Sequence, residues 1–212
     1  MNTQQFYEWL GKPRRMISLM APVNTPEAGT ECLSSFLIRN QQGLGVNASQ
    51  LLAYSAMILE NNEQSLVQSH LLSASALPLS LNGDNERTEA LCEALSHLQP
   101  ETDFNEMTLK AYEYKTNGLL LQPKLKKHLH WCSHCFNDWH ANGVAIHYPL
   151  IWFLQGNHSC EMHSKPLSNV CPHCGVQHKQ LNRYLMQGQC SRCKGTLTKI
   201  SKNRLLSQTE MF

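Results

Sequence analysis

The sequence lacks any long apolar run, since no stretch of its 212 residues approaches the roughly 18 apolar residues of a membrane-spanning helix. It also lacks the order of a secretory signal peptide, because Lys12, Arg14 and Arg15 follow the first apolar positions instead of preceding them. These absences predict a protein with no membrane partner. The odd number of cysteines, nine in all, favours a reducing compartment over a secreted disulfide framework.

The motifs of several enzyme classes are missing as well. The chain contains no phosphate-binding P-loop, no Gly-x-Ser-x-Gly nucleophile turn and no Gly-x-Gly-x-x-Gly dinucleotide fingerprint. Base deaminases need a His-x-Glu sequence ahead of a Cys-x-x-Cys pair, and no His-x-Glu occurs. We therefore expect no catalytic residues and no enzymatic activity.

Acidic residues are scarce in the second half of the chain. From Met1 to Pro123 there are 7 Lys+Arg against 13 Asp+Glu, a balance of −6, whereas from Lys124 to Phe212 there are 11 against 3, a balance of +8. The basic half is the one expected to meet a polyanion, although lysines that only solvate a small metal-stabilised surface would give the same balance. Charged residues at 16% and apolar residues at 42% indicate a globular protein.

What the chain does have is a series of metal-ligand pairs. Two intervening residues let one tight turn aim both side chains at one ion, and four such pairs supply eight ligands, enough for two closed tetrahedral sites. The last two pairs, fifteen residues apart, match a zinc-ribbon spacing. The predicted ligands of two Zn²⁺ per chain are Cys132 and Cys135, Cys160 and His163, Cys171 and Cys174, and Cys190 and Cys193.

Consecutive pairing is favoured, with the first four ligands on one ion and the last four on the other. The seven residues between His163 and Cys171 suit a hinge between two ribbons, while an interleaved pairing stays open. His163 is preferred to His134, His158 and His173 because it alone completes a two-residue pair with a cysteine. Four protein ligands leave no open coordination position, so both sites are predicted to be structural. Cys32 and Cys92 remain as small buried thiols.

The expected fold is α+β and mainly helical, with a helical domain at residues 1–122 and a tandem zinc-ribbon domain at residues 123–212. Thr30 is predicted to cap a helix that ends at Gly43–Gly45, and the sequence from Asn47 to Gln50 resembles a capping box that opens a second helix. This pair fits a helix-turn-helix, although any helical hairpin shows the same pattern. Further helices are expected at Ala90–Leu98 and Phe104–Tyr112. Short strands are expected at Val144–Tyr148 and Ile151–Phe153.

Basic and aromatic residues near the ligands are candidate nucleic-acid contacts. Phosphates attract cations, and exposed rings stack on bases. The candidate cations are Lys124, Lys126, Lys127, Arg183, Arg192, Lys194, Lys199, Lys202 and Arg204. Trp131, Trp139, Trp152 and Phe153 could stack on bases, but Trp152 and Phe153 are more typical of a core and Trp131 of a metal cover.

The order of these motifs resembles the TniQ (TnsD-related) family of transposition targeting proteins. The resemblance extends from about Pro22 to Leu197, and it rests on Gly29-Thr-Glu-Cys-Leu-Ser-Ser-Phe-Leu-Ile-Arg39, Cys132-x2-Cys135, Trp152 ahead of Cys160-x2-His163-x3-Leu167, Cys171-Pro-x-Cys174-Gly175 and Cys190-x2-Cys193. It implies an adaptor that links target recognition to the AAA+ ATPase TnsC and thereby to the transposase. Some members bind an attachment site on DNA directly, and others accompany a CRISPR RNA-guided complex and its guide RNA.

Many relatives continue into a C-terminal helical region, whereas this sequence stops soon after Cys193. The resemblance is therefore to the compact members of CRISPR-associated transposons, and RNA-guided targeting is favoured over direct site reading. It also implies a bacterial cytoplasmic, nucleoid-associated protein and a possible homodimer. The alternative is a stand-alone DNA-binding protein that reads an attachment site or promoter with residues Glu31–Glu60.

Overall fold

The computed structural model of the chain describes residues 18–25, 29–60, 81–111, 124–180 and 185–198. Within these ranges the fold is mainly helical. We call residues 18–111 the helical half and residues 124–198 the metal half. No helix in the described ranges has the length and apolar character needed to cross a bilayer.

A small antiparallel pair, β1 (Asn24–Thr25) and β2 (Gly29–Thr30), precedes α1 (Leu33–Leu44) and α2 (Ala48–Glu60). The helical half continues with α3 (Glu86–Leu98) and a 3₁₀-helix (Phe104–Met107). The metal half contains α4 (Ser133–Ala141) and a second 3₁₀-helix (Leu150–Phe153), joined by irregular segments and isolated bridges.

Helix α1 begins later than predicted, with Cys32 and not Thr30 at its N-cap. Tertiary pairing explains the shift: Glu31 forms an antiparallel bridge with Pro149, and the N–H of Cys32 donates to the carbonyl of Tyr148 at 2.9 Å. These contacts hold the residues before Leu33 extended. The helix ends at Gly45, whose φ of 66° lies in the left-handed region, as predicted from the glycine.

The predicted capping box of α2 is confirmed. The N–H of Asn47 donates to Oε1 of Gln50 at 2.9 Å, and the N–H of Gln50 donates to Oδ1 of Asn47 at 3.0 Å. Each side chain satisfies a backbone donor that the first turn of a helix leaves unpaired. Helix α3 has an N-cap side chain, since Oδ1 of Asn85 accepts from the N–H of Thr88 at 3.1 Å.

Three secondary-structure predictions are wrong. Val144–Tyr148 forms no strand, and Ile151–Phe153 belongs to a 3₁₀-helix that starts after Pro149. Strand propensity reflects fit to a half-buried pleated surface, whereas these aromatic residues are buried around Phe136. The helix expected through Tyr112 is interrupted at Thr108, whose backbone is extended; Tyr112 itself lies outside the described residues.

The buried residues form one hydrophobic core that runs through both halves. In the helical half, Phe36 packs edge-on against Phe104 with ring centroids 5.3 Å apart. In the metal half, Phe136 lies among Trp139, Tyr148 and Trp152 at centroid distances of 5.5 to 6.1 Å. The boundary predicted at residue 122 lies outside the described residues.

A hairpin of the metal half is seated on helix α1. Met186 bridges to Gln189, so Gln187 and Gly188 form the tip of the hairpin. The amide of Gln187 donates to the carbonyl and hydroxyl oxygens of Ser35, both at 2.8 Å, and its N–H donates to Oε1 of Gln42 at 3.1 Å. We call residues 185–188 the seated hairpin. It lies in the segment between Cys174 and Cys190, so it connects the last two predicted ligand pairs to the helical half.

Candidate metal centres

The first four predicted ligands lie together. Cys132 is the N-cap of α4 and Cys135 lies in its first turn, while Cys160 and His163 come from one turn after the second 3₁₀-helix. Their ligand atoms are all within 4.8 Å of one another. Nδ1 of His163 is 3.3 Å from Sγ of Cys135 and 3.6 Å from Sγ of Cys160.

The last four predicted ligands form a second group with the same compactness. Sγ of Cys171 is 3.7 Å from Sγ of Cys193, and Sγ of Cys174 is 3.6 Å from Sγ of Cys190. The groups follow the consecutive arrangement: residues 132–163 make the first centre and residues 171–193 the second. The second centre is the more open one, because Cys193 is exposed whereas three ligands of the first are buried.

The distances are those of metal centres and not of disulfides. A disulfide joins its sulfurs at about 2.05 Å, well below the 3.4 to 3.7 Å seen here. Tetrahedral bonds of about 2.3 Å to sulfur and 2.0 Å to nitrogen place ligand atoms about 3.5 to 3.8 Å apart. Both groups therefore fit one ion each, with four protein ligands and no open position.

Three of the four ligand pairs adopt the same turn. In each, the N–H of the first ligand donates to the carbonyl five residues on, and the N–H four residues on donates back to the first ligand's carbonyl, at 2.8 to 3.0 Å. The turns start at Cys160, Cys171 and Cys190. The residue after the second ligand has positive φ in all three, and it is Ser164, Gly175 and Lys194 respectively.

The first pair differs because it sits on a helix. The N–H of Phe136 donates to the carbonyl of Cys132, and α4 continues from there to Ala141. The thiol of Cys135 and the backbone N–H groups of Cys135 and His134 lower the pKa of Cys132 to about 5. In the second centre, burial raises the pKa of Cys190, but the N–H groups of Cys193 and Arg192 lower it more, to about 7. The opposite shift falls on their partners, since the Cys132 thiol raises the pKa of Cys135 and burial raises the pKa of Cys160. Cys132 and Cys190 are therefore the thiols that most readily supply a thiolate to an ion.

The ligand imidazole is oriented by a carboxylate that sequence reasoning missed. Nε2 of His163 donates to Oδ2 of Asp138 at 2.8 Å, which fixes the tautomer and leaves Nδ1 free to face the thiolates. The ring of His134 stacks on His163 at 5.4 Å. The signal for Asp138 was available, because it lies three residues after Cys135 and therefore on the same face of a helix.

The three histidines that were not predicted as ligands belong to neither ligand group. His134 stacks on the ligand ring, and His173 covers Gly195 with its Nε2 at 3.0 Å from the carbonyl of Thr196. The carbonyl of His158 accepts from the N–H of Leu167. Cys32 and Cys92 are buried thiols whose pKa values burial raises to about 12, which suits inert core residues.

The predicted phosphate contacts divide into three groups. Lys124, Lys127, Arg192 and Lys194 are exposed on the metal half. Lys126 is buried, and its ammonium donates to the backbone carbonyls of Trp152 and Asn157; burial lowers its pKa to about 8. Lys126 is thus a core residue and not a surface contact. Arg183, Lys199, Lys202 and Arg204 lie outside the described residues.

The aromatic candidates for base stacking are buried. The core contains all four of them, namely Trp131, Trp139, Trp152 and Phe153. The prediction that they stack on bases is therefore wrong, and the alternative that Trp152 and Phe153 are core residues is confirmed. Trp131 joins the two centres, because its Nε1 donates to the carbonyl of Leu197 at 2.8 Å.

Among the described residues, helices α1 and α2 expose no basic side chain that could contact DNA. Arg39, the single basic residue of the two helices, is turned inward and bonds to Glu31, with Nη2 at 2.6 Å from Oε2 and Nε at 3.1 Å from Oε1. Residues Leu33–Gln41 are all buried. This surface is poorly suited to neutralising phosphates.

No protein-family model matches the chain, and no curated protein matches it either.

Proposed function

We propose that the chain is a non-enzymatic targeting adaptor of a DNA transposon, resembling the TniQ family. In this role it bridges a nucleic-acid-bound recognition complex, RNA-guided as in CRISPR-associated transposons, to the AAA+ ATPase TnsC and the transposase. The observation that carries the proposal is the joining of an acidic helical half to a basic metal half through one core. Surfaces of opposite sign on one continuous body suit a bridge between a protein and a polyanion.

The metal centres support a scaffolding role. Each has four protein ligands, whereas catalytic zinc keeps a position open for water or substrate. Ligation of this kind contributes roughly 10–16 kcal/mol to folding in zinc-finger peptides, which would hold the irregular metal half in shape. The function then lies on the surface that the centres support and not at the ions.

Zinc is the ion that fits best. Soft thiolate ligands in tetrahedral groups select zinc or iron–sulfur chemistry, and a group of three thiolates with one imidazole Nδ1 is typical of structural zinc. We expect about two zinc ions per chain from elemental analysis of the purified protein. One ion per chain, or iron with visible absorption, would contradict this assignment.

In this proposal the two centres are consecutive zinc ribbons, α1 with α2 is a helix-turn-helix-like region, and the acidic helical half docks protein. The inward orientation of Arg39 and the burial of Leu33–Gln41 argue against DNA reading by α1. Lys124, Lys127, Arg192 and Lys194 are the described cations that would meet nucleic acid. A homodimer is compatible with the proposal but is not required by it.

A transposition assay tests the proposal. Deleting the gene should abolish targeted insertion, and Cys171→Ala should have the same effect because it removes a ligand of the second centre. Cys92→Ala is the matched control, since it removes a buried thiol outside both centres. Undiminished, correctly targeted insertion after deletion would refute the adaptor role.

The stand-alone DNA-binding alternative is separated by a mobility-shift assay with the purified protein alone. An adaptor that depends on partners should bind DNA weakly and without sequence preference. Tight, sequence-selective binding without partners would favour a direct site reader or a regulator.

A further inference from the structure

A row of imidazoles lines one face of the metal half. In the segment from His128 to Trp131, Leu129 is 0% exposed and Trp131 is 1% exposed, whereas His128 and His130 are only partly buried. Alternation of this kind is that of a strand, in which successive side chains point to opposite faces. The two histidine rings therefore lie on the side away from the core.

Two neighbouring segments add to this face. His128 forms an antiparallel bridge with Lys179, and directly opposed residues project on the same side, so the exposed Lys179 lies beside His128. The segment at 166–168 links His130 to His158: Trp131 bridges to Ser168, and the N–H of Leu167 donates to the carbonyl of His158 at 2.9 Å. We call His128, His130, His158 and Lys179 the imidazole face.

The face is poor in acidic residues, and the exposed Lys179 gives it a positive charge. In the described part of the metal half the acidic residues are Asp138 and Glu161. Asp138 is hydrogen-bonded to His163, and Glu161 lies between two ligands of the first centre.

The imidazoles are not a further metal centre. Among the described residues, the groups whose ligand atoms converge are the two centres already described, and they contain none of these histidines. The imidazole face is thus open to a ligand that takes hydrogen bonds from imidazole N–H groups and charge from an ammonium.

We infer that the imidazole face binds the phosphodiester backbone of a nucleic acid. The inference rests on the proposed function, and it assigns the contact to residues other than the lysines and arginines around the ligands. The imidazole N–H groups of His128 and His158 and the Lys179 ammonium donate to phosphate oxygens, whereas Nδ1 of His130 already donates to the carbonyl of His128 at 2.8 Å. Histidine rings also stack on unpaired bases, a role that the buried tryptophans of the described metal half leave vacant. An acidic polypeptide would use the charge but not the rings.

The test compares two double variants in fluorescence-anisotropy titrations with a labelled RNA hairpin, a DNA duplex and polyglutamate. Lys179→Gln with His128→Gln removes two opposed members of the face. Lys165→Gln with His140→Gln is the control, because it removes one exposed lysine and one exposed histidine outside the face. His130 and His158 are left intact so that each double variant changes one lysine and one histidine. Zinc content and circular dichroism should be unchanged in both variants.

We expect the Lys179/His128 variant to lose about tenfold or more in affinity for RNA or DNA at about 0.1 M salt. Its slope of log affinity against log salt should fall in magnitude by about 0.9 on the DNA duplex, as for one lost phosphate contact. The control variant should bind as the wild type does. The nucleic acid for which the affinity falls more, RNA or DNA, is the class that the imidazole face binds.

Equal losses in both variants, or none in either, would overturn the inference, as would tighter binding to polyglutamate than to nucleic acid. These outcomes leave the adaptor proposal standing if gene deletion still abolishes targeted insertion. Conversely, a loss confined to the Lys179/His128 variant with insertion independent of the gene would uphold the face and refute the adaptor role.

Discussion

Replacing Arg39 with methionine removes the positive charge that pairs with the buried carboxylate of Glu31. Glu31 is 0% exposed and the Arg39 side chain is 10% exposed. The carboxylate accepts from Nε and Nη2 of Arg39, from the hydroxyl of Ser35 at 2.8 Å and from the N–H of Val23 at 3.0 Å. Methionine matches much of the aliphatic stem of arginine, so the change is mainly one of charge and hydrogen bonding.

Removing one partner of a buried ion pair leaves an uncompensated charge in low dielectric, which costs about 3–5 kcal/mol of the free energy of unfolding. The control is Lys110→Met. Lys110 pairs with Glu89 at the surface, with side-chain exposures of 27% and 45%, and exposed pairs contribute about 1 kcal/mol or less. The structure thus predicts that Arg39→Met lowers the free energy of unfolding several times more than Lys110→Met does.

The assay is urea unfolding at fixed free zinc in a Trp9→Phe background, followed by the fluorescence of the three tryptophans of the metal half and by circular dichroism for the helices. Because the core is continuous, both signals should shift together in the Arg39→Met protein. Glu31→Gln combined with Arg39→Met should cost about 2–3 kcal/mol less than the sum of the single changes. A loss below about 1 kcal/mol for Arg39→Met, or additive single changes, would refute the reasoning.

Three further predictions concern the metal half. Asp138→Asn should weaken metal binding at the first centre by about 10- to 100-fold and leave the second unchanged, as measured by competition with a chromogenic chelator; equal weakening at both centres would contradict a local role. Gly195→Ala should weaken the second centre, because a Cβ there would lie 2.6 Å from the ring of His173, whereas Gly156→Ala meets nothing within 4 Å and should be neutral. Burial lowers the pKa of Lys126 to about 8 from 10.5, so the unfolded chain binds more protons between these values and stability to urea should rise as pH increases from 8 to 10.5. Lys126→Met should abolish that rise, and an unchanged rise in the variant would assign it to other groups.

Local patterns in the sequence were reliable where the chemistry is local. The capping box at Asn47 and Gln50 involves two neighbours in the chain, and the structure forms it as predicted. Paired ligands two residues apart likewise belong to single turns, and the structure gathers all eight into two groups. The glycine that ends α1 was predictable because few other residues adopt its positive φ.

Predictions that depended on distant partners fared differently. Lys126 reads as a surface cation in a lysine-rich segment, but carbonyls of residues 152 and 157 accept its ammonium inside the fold. The start of α1 moved to Cys32 because Tyr148 supplies a backbone partner from 116 residues further along the chain. Such pairings leave no periodic mark in the sequence, so propensity and spacing could not reveal them.

The seated hairpin is synthesised long after the helix on which it packs. Gln187 reaches the ribosomal exit 152 residues after Ser35, its partner on α1. At about 5–20 residues per second, that interval is roughly 8 to 30 s. During it the polar groups of α1 that the hairpin later covers face solvent, and the second centre lacks its last two cysteines. The hairpin that covers α1 is therefore made together with the last two ligands of the second centre.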